Sequence, residues 1–319
     1  MLKRMSIKKI MVSSLAVLIL LIIYLIPDNR KEVNLSNNSI EYVYNNIKST
    51  IYLVDSDDYV AKTSISTCNC EGTDKARDLL EGLIIDGNKS NIIPNGFRSV
   101  IPPGTTIKSI ELKDKMITID FSKEFLDVND KDGQKMIEAI IYTLTSINGI
   151  DKVKIKVEGE ELKKLPNGYS LPTILDRNYG INKSYDLVTT NNIESYTVYY
   201  VNEYNDNKYY VPITKYVNGE NDDPIRVIIR ELSSSPIYET NLMSYLNAST
   251  RLENYELIGN NLKLNFNELL LNDLNEKNIL EEVVYTISLS VNDIYNNLET
   301  ISFFIGNDEI YSVNMNEIE

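Results

Sequence analysis

Histidine is absent from all 319 residues. That absence removes imidazole general bases, Ser-His-Asp and Cys-His nucleophile systems, and the common zinc ligand sets. An enzyme built from this chain would have to work with carboxylates or lysines, so a non-enzymatic protein is expected, without metal or cofactor. Cysteine occurs twice, in Thr67-Cys68-Asn69-Cys70-Glu71. Two thiolates do not fill a tetrahedral metal site, and a bridge between residues i and i+2 is expected to be strained. The plain reading is a pair of small residues leading into a helix; a redox-labile or metal-scavenging pair is the alternative. Basic residues are scarce, with 32 Lys and Arg against 46 Asp and Glu and a net charge of -14. Lys3, Arg4, Lys8 and Lys9 precede the first apolar run, which leaves -18 on the rest of the chain. A phosphate backbone needs a basic footprint, so no nucleic-acid partner is expected.

What is present begins with that apolar run. Residues 1–9 are short and basic, and residues 10–26 are uncharged, ending at Pro27-Asp28. At about 1.5 Å per residue, a helix over this run is close to the minimum needed to cross a bilayer. The basic residues before it place the N-terminus in the cytoplasm and the bulk of the chain outside. No small-x-small cleavage site follows, so an uncleaved single-pass signal anchor is expected rather than a removed signal peptide. No cysteine follows closely to take a lipid. Residues 27–48 are polar and rich in Asn and Ser, and read as a stalk.

The remainder shows one pattern twice. In the first copy Ile110 and Leu112 alternate with polar neighbours, and Asp114-Lys115 makes a turn. Ile117, Ile119 and Phe121 alternate with Thr118 and Asp120. Met136, Ile137, Ile140, Ile141, Leu144 and Ile147 form a helical face, with Gly149 at the expected stop. Val153, Ile155 and Val157 then alternate with lysines. In the second copy Leu262, Leu264 and Phe266 replace the central strand, after a Gly259-Asn260 turn. Ile279, Leu280, Val283, Val284, Ile287 and Val291 supply the helix face, and residues 301–305 the last strand.

Each copy is preceded by a hairpin and a helix. In the first these are strands near residues 50–54 and 59–65, then a helix starting at Thr73-Asp74. In the second they are strands near 196–201 and 208–217, then a helix capped by Asp223 with Pro224 at its first position. Residues 49–165 and 194–319 thus form two units of order β(β)-α-β-β-α-β, with 166–193 as linker. The fold class is α+β, as two tandem two-layer α/β sandwiches behind a transmembrane helix.

The stretch from Ile101-Pro102-Pro103-Gly104-Thr105 through Ile119-Asp120-Phe121-Ser122 to Phe125 resembles the central signature of the GerMN domain family. Residues 138–145 and 153–159 resemble its helix and closing strand. The second copy is a weaker match: Asn265 stands at the place of Asp120, and the Pro-x-Gly-Thr segment is missing. The resemblance implies a sporulation or germination role, and a fold similar to ring-building modules of secretion systems. It further implies a structural part in a channel-like complex between membranes, with other extracytoplasmic sporulation proteins as partners.

Three groups of residues are candidates for a site. Asp120 has the chemistry of a general acid or base. An Asx side chain at a strand end also caps the local loop, and Asn265 could do that work without being able to act as a base. Lys152, Lys154 and Lys156 share one face of a strand, either as a solvated or edge-protecting face or as a contact for an acidic surface of another subunit or a second copy. Tyr199 and Tyr209 belong to a tyrosine-rich hairpin; they are candidate partner contacts, since tyrosine is enriched at interfaces, or simply good strand residues. An extracytoplasmic wall-acting enzyme or ligand-binding protein is the competing functional reading, and would need a pocket with convergent polar groups.

Overall fold

The computed structural model describes residues 47–219, 223–234, 240–295, 297–315 and 318. The expected membrane anchor at 10–26 and nearly all of the expected stalk lie outside them. Among the described residues no helix is long and apolar enough to cross a membrane. The fold is α+β, as the alternating periods require, with fourteen strands and four α-helices among these residues.

The first copy opens with β1 (Ile47–Asp55) and β2 (Val60–Thr67), an antiparallel hairpin in which Val54 faces Val60. Helix α1 (Gly72–Leu83) follows and buries Ala76, Leu79, Leu80 and Leu83. It starts slightly before the predicted Thr73-Asp74, at Glu71, with no side-chain cap. After the short β3 (Phe97–Arg98), β4 (Ile107–Lys113) and β5 (Met116–Phe121) form a hairpin. Asp114 and Lys115 turn it at φ 50° and 60°, the positive values of a primed two-residue turn. Helix α2 (Gly133–Leu144) crosses to β6 (Lys152–Val157), which runs parallel to β5, and β7 (Glu160–Glu161) closes the sheet. The expected stop at Gly149 is corrected. The helix ends at Leu144, where the Thr145 hydroxyl donates to the Ile141 carbonyl (2.8 Å) and the Ser146 hydroxyl to that of Tyr142 (2.6 Å). These side chains satisfy terminal carbonyls that a glycine stop would otherwise serve.

The second copy repeats this order. After the short β8 (Ser184–Asp186), β9 (Ile193–Tyr204) and β10 (Asn207–Asn218) form the hairpin. Helix α3 (Pro224–Ser233) is capped as predicted: Asp223 accepts from the backbone of Ile225 (2.9 Å) and Arg226 (3.2 Å). Then come β11 (Leu252–Ile258), β12 (Asn261–Phe266), α4 (Glu281–Tyr295), β13 (Thr300–Ile305) and β14 (Asp308–Asn314).

Each four-stranded sheet, β4-β5-β6-β7 or β11-β12-β13-β14, turns its alternate apolar side chains inward. Ile117, Ile119 and Phe121 are fully buried in the first copy, and Leu264 and Phe266 are in the second, with Leu262 at 1 %. The repeat pattern does not anticipate the sheet between the copies. The two opening hairpins join through β2 and β10, where Lys62 faces Tyr210, into one six-stranded sheet that also takes in β3 and β8. Two apolar cores result, one per copy; Ala61 of β2 belongs to the second core.

Candidate functional site

The polar chemistry of the molecule concentrates at the seam between the copies. Equivalent residues meet there. The Tyr52 hydroxyl lies 3.0 Å from that of Tyr199, and Asn202 Nδ2 donates to Asp55 Oδ2 at 3.1 Å. Behind them, Tyr52 N donates to Thr143 Oγ1 and Tyr199 N to Ser290 Oγ, both at 2.9 Å and both across 91 residues. Contact between like positions is the signature of a two-fold, isologous interface, here within one chain. Burial raises the pKa of both tyrosines, so the hydroxyls are neutral hydrogen-bonding groups.

Two residues of the connecting segment reinforce the seam. Arg177 forms an ion pair with Asp293 on α4, donates from Nε to Thr145 Oγ1 at 3.1 Å, and sits 4.7 Å above the Tyr142 ring. Burial is the largest influence and opposes its charge, but the Asp293 carboxylate acting together with Tyr52, Tyr199 and Tyr142 holds the guanidinium well above its usual pKa. Asn182, at φ 45°, ties both hairpins together: it accepts from Val60 N (2.9 Å) and donates to the carbonyls of Val60 and Pro212, each at 2.8 Å. Neither residue has a counterpart in the repeat, so pattern reading placed both in a linker. The available signal was that Arg177 and Lys183 are the two cations of residues 166–193.

Tyr199 and Tyr209 are therefore corrected as partner contacts. They are 2 % and 7 % exposed, and the Tyr209 hydroxyl donates to Asp55 Oδ2 at 3.0 Å. Their interface is intramolecular. Asp55 is pushed above the usual carboxylate range by burial, despite hydrogen bonds from Tyr59 N, Tyr209 and Asn202.

The lysine row is where the spacing put it, on the outward face of β6, opposite Met116, Thr118 and Asp120 of β5. Lys152 is exposed, and Lys154 pairs with Glu161 at 3.0 Å. Asp120 accepts from Gly159 N at 2.9 Å and so holds the turn after β6. Asn265 does not repeat that bond; its Oδ1 is buried without a hydrogen-bond partner. The structure does not bring these residues together with the tyrosines. Cys68 and Cys70 form a disulfide in the loop before α1, where a free pair was expected. Their Cα atoms are 5.3 Å apart, a distance a bridge spans. Among the described residues no group of three or more Cys, Asp or Glu is placed to hold a metal. A surface depression lined by Ile85, Ile93, Pro94, Phe97 and Arg98 has Asp86 as its carboxylate.

The family model described as "Germane: Sporulation and spore germination" matches residues 45–163 and again 197–307. The chain belongs to this family. It is 34 % identical over 251 residues to the spore germination protein GerM of Bacillus subtilis (strain 168), covering 76 % of this chain and 67 % of GerM. It also superposes on the tandem GerMN domains of the B. subtilis sporulation protein GerM with a TM-score of 0.75 and 30 % identity, covering 85 % of this chain and 94 % of that one. The first matched segment spans β1 to β7, and the second runs from within β9 to just before β14.

Proposed function

We propose that this chain is a membrane-anchored, extracytoplasmic structural protein of sporulation or spore germination. It serves a ring or channel-like complex between membranes and has no catalytic role. Family membership and the similarity to GerM support the process. The observation that carries the structural role is the fate of polar residues between the copies. Ile117, Ile119 and Phe121 keep apolar counterparts in Leu262, Leu264 and Phe266, while Asp120 becomes Asn265 and loses its hydrogen bond. A shared core without a shared polar centre fits a scaffold better than a reaction site. The acidic body and the outward lysine row offer complementary surfaces for other extracytoplasmic proteins or a second copy.

Deleting the gene and counting heat-resistant spores tests the process. A loss restored by the intact chain, and not by a chain lacking residues 1–26, is the expected result. Normal spore yield together with normal germination would remove the assignment.

A further inference from the structure

We propose that the Cys68–Cys70 bridge is a redox-active site that exchanges its disulfide with a dithiol. The pair closes a very small loop, with only Asn69 between its members. Loop-closure stabilisation grows with the number of residues enclosed, so this bridge adds little of it. Both sides of the loop are anchored without it. Thr67, the last residue of β2, pairs with Ile47 and donates from Oγ1 to its carbonyl at 3.0 Å. Helix α1 is held on the other side by Ala76, Leu79, Leu80 and Leu83 in the core. The second copy makes the same step, from β10 at Asn218 to α3 at Pro224, through residues 219–223, which contain no cysteine. The fold therefore does not need the bridge, and the bridge is free to open.

The surroundings favour opening from one side. Cys68 and Asn69 are exposed and Cys70 is half-buried, so an incoming thiolate reaches Cys68 Sγ first. Asp78 accepts from Cys68 N at 3.0 Å and is paired with Lys89 at 2.5 Å, which weakens its repulsion of an anionic attacker. Attack forms a mixed disulfide at Cys68; the Cys68–Cys70 bond breaks, and Cys70 leaves as a thiolate that takes a proton from water. The second thiol of the reductant then loses its proton and displaces Cys68 from the mixed disulfide. Two electrons and two protons have passed from the dithiol to the cysteine pair, and the reductant is left as its own disulfide. A monothiol does this poorly. Cys70, two residues away, attacks a monothiol adduct at high effective concentration and re-forms the bridge before a second monothiol arrives. The chain holds no third cysteine, so no internal thiol competes for the bridge. This site goes beyond the scaffold role and does not rest on it.

The test uses the full chain in detergent, without denaturant, and counts alkyl groups by intact mass after iodoacetamide treatment. Dithiothreitol should release both thiols of the pair. Replacing it with oxidised glutathione should restore the bridge with no glutathione retained. Reduced glutathione at the same thiol concentration should open the bridge at least about tenfold more slowly than dithiothreitol. Reduction should lower the thermal midpoint by no more than about 5 °C. Cys70→Ser removes the resolving sulfur, so oxidised glutathione should leave one glutathione on Cys68 of that variant. Thiols released only after unfolding in urea would overturn the site, as would equal rates with glutathione and dithiothreitol. So would a larger fall in the midpoint, the mark of a staple on which the fold depends.

Discussion

The two four-stranded sheets have the same inside and different outsides. On β6 the outward positions are Lys152, Lys154 and Lys156; on β13, in the same register against the central strand, they are Thr300, Ser302 and Phe304. Inward, Val153, Ile155 and Val157 answer to Ile301, Phe303 and Ile305. The charge differs in the same sense. Residues 49–165 carry 16 basic and 20 acidic residues, net -4, whereas residues 194–319 carry 7 and 21, net -14. The inner positions are held by close packing, which penalises any change of volume. The outer positions meet water or a partner, so the fold does not dictate them. The contrast shows that the lysine row is not required to make this sheet; within the first copy, Lys154 pairs with Glu161 of the closing strand.

The largest way to break the comparison is at the seam, where the copies differ most in chemistry. Ser146, just past the end of α2, is the counterpart of Asp293 on α4, each three residues beyond its seam-bonding Thr143 or Ser290. Arg177→Ala strips Asp293 of its partner and should cost about 3–5 kcal/mol, the usual loss when half of a buried pair is removed. Ser146→Ala should cost under about 1 kcal/mol. Urea unfolding of both variants decides it; equal losses would mean that the ion pair does not lock the copies together. Next in size is the test of what they share. Ile119→Ala and Leu264→Ala each delete a fully buried side chain from the central strand, and each should cost about 2–5 kcal/mol. A large effect in one copy and almost none in the other would show that the cores are not equivalent.

Periodicity made much of this legible. The alternation around Ile117 and Leu262, the helix faces from Met136 and Val283, and the Asp223-Pro224 cap are local signals, and local bonding enforces them. The seam was not legible, because its contacts have no period. One register position, Lys62 facing Tyr210, joins the hairpins, and nothing in either strand marks it. Tyr199 and Tyr209 carry polar hydroxyls on strand-forming rings and read equally as partner contacts or as ordinary strand residues. They are buried because Tyr52 and Asp55, 147 and 154 residues away, supply their hydrogen bonds. Arg177 and Asn182 sat in a stretch whose glycines and prolines signal a loop, and its side chains do not repeat.

A smaller effect should separate the copies by pH. In the first copy Arg98 donates to both carboxylate oxygens of Asp132 (2.8 and 3.1 Å) and to Asp58 (3.0 Å). Burial alone would raise Asp132, but the bonds from Arg98 and Asn129 hold it below the usual range. A carboxylate depressed in the folded state adds stability above its unfolded pKa, about 3.9, and that stability is lost as pH falls through the folded value. Asp132→Asn should therefore cost about 1–2 kcal/mol at neutral pH and progressively less below pH 4. Denaturation midpoints of parent and variant that stay parallel down to pH 2 would refute it.

The smallest predicted effect falls on the residue that most invites a catalytic reading. Asp120 makes one hydrogen bond, to Gly159 N, at a half-buried site. An amide oxygen can accept the same bond, so Asp120→Asn should cost under about 1 kcal/mol and leave spore yield unchanged. The reverse exchange, Asn265→Asp, places a carboxylate where the Oδ1 is buried and without a donor. It should cost more, about 1–3 kcal/mol, because desolvation of the charge is uncompensated. If Asp120→Asn instead abolished spore formation at unchanged stability, Asp120 would be acting through its charge or its proton. The asymmetry between the copies would then be one of function rather than of turn geometry.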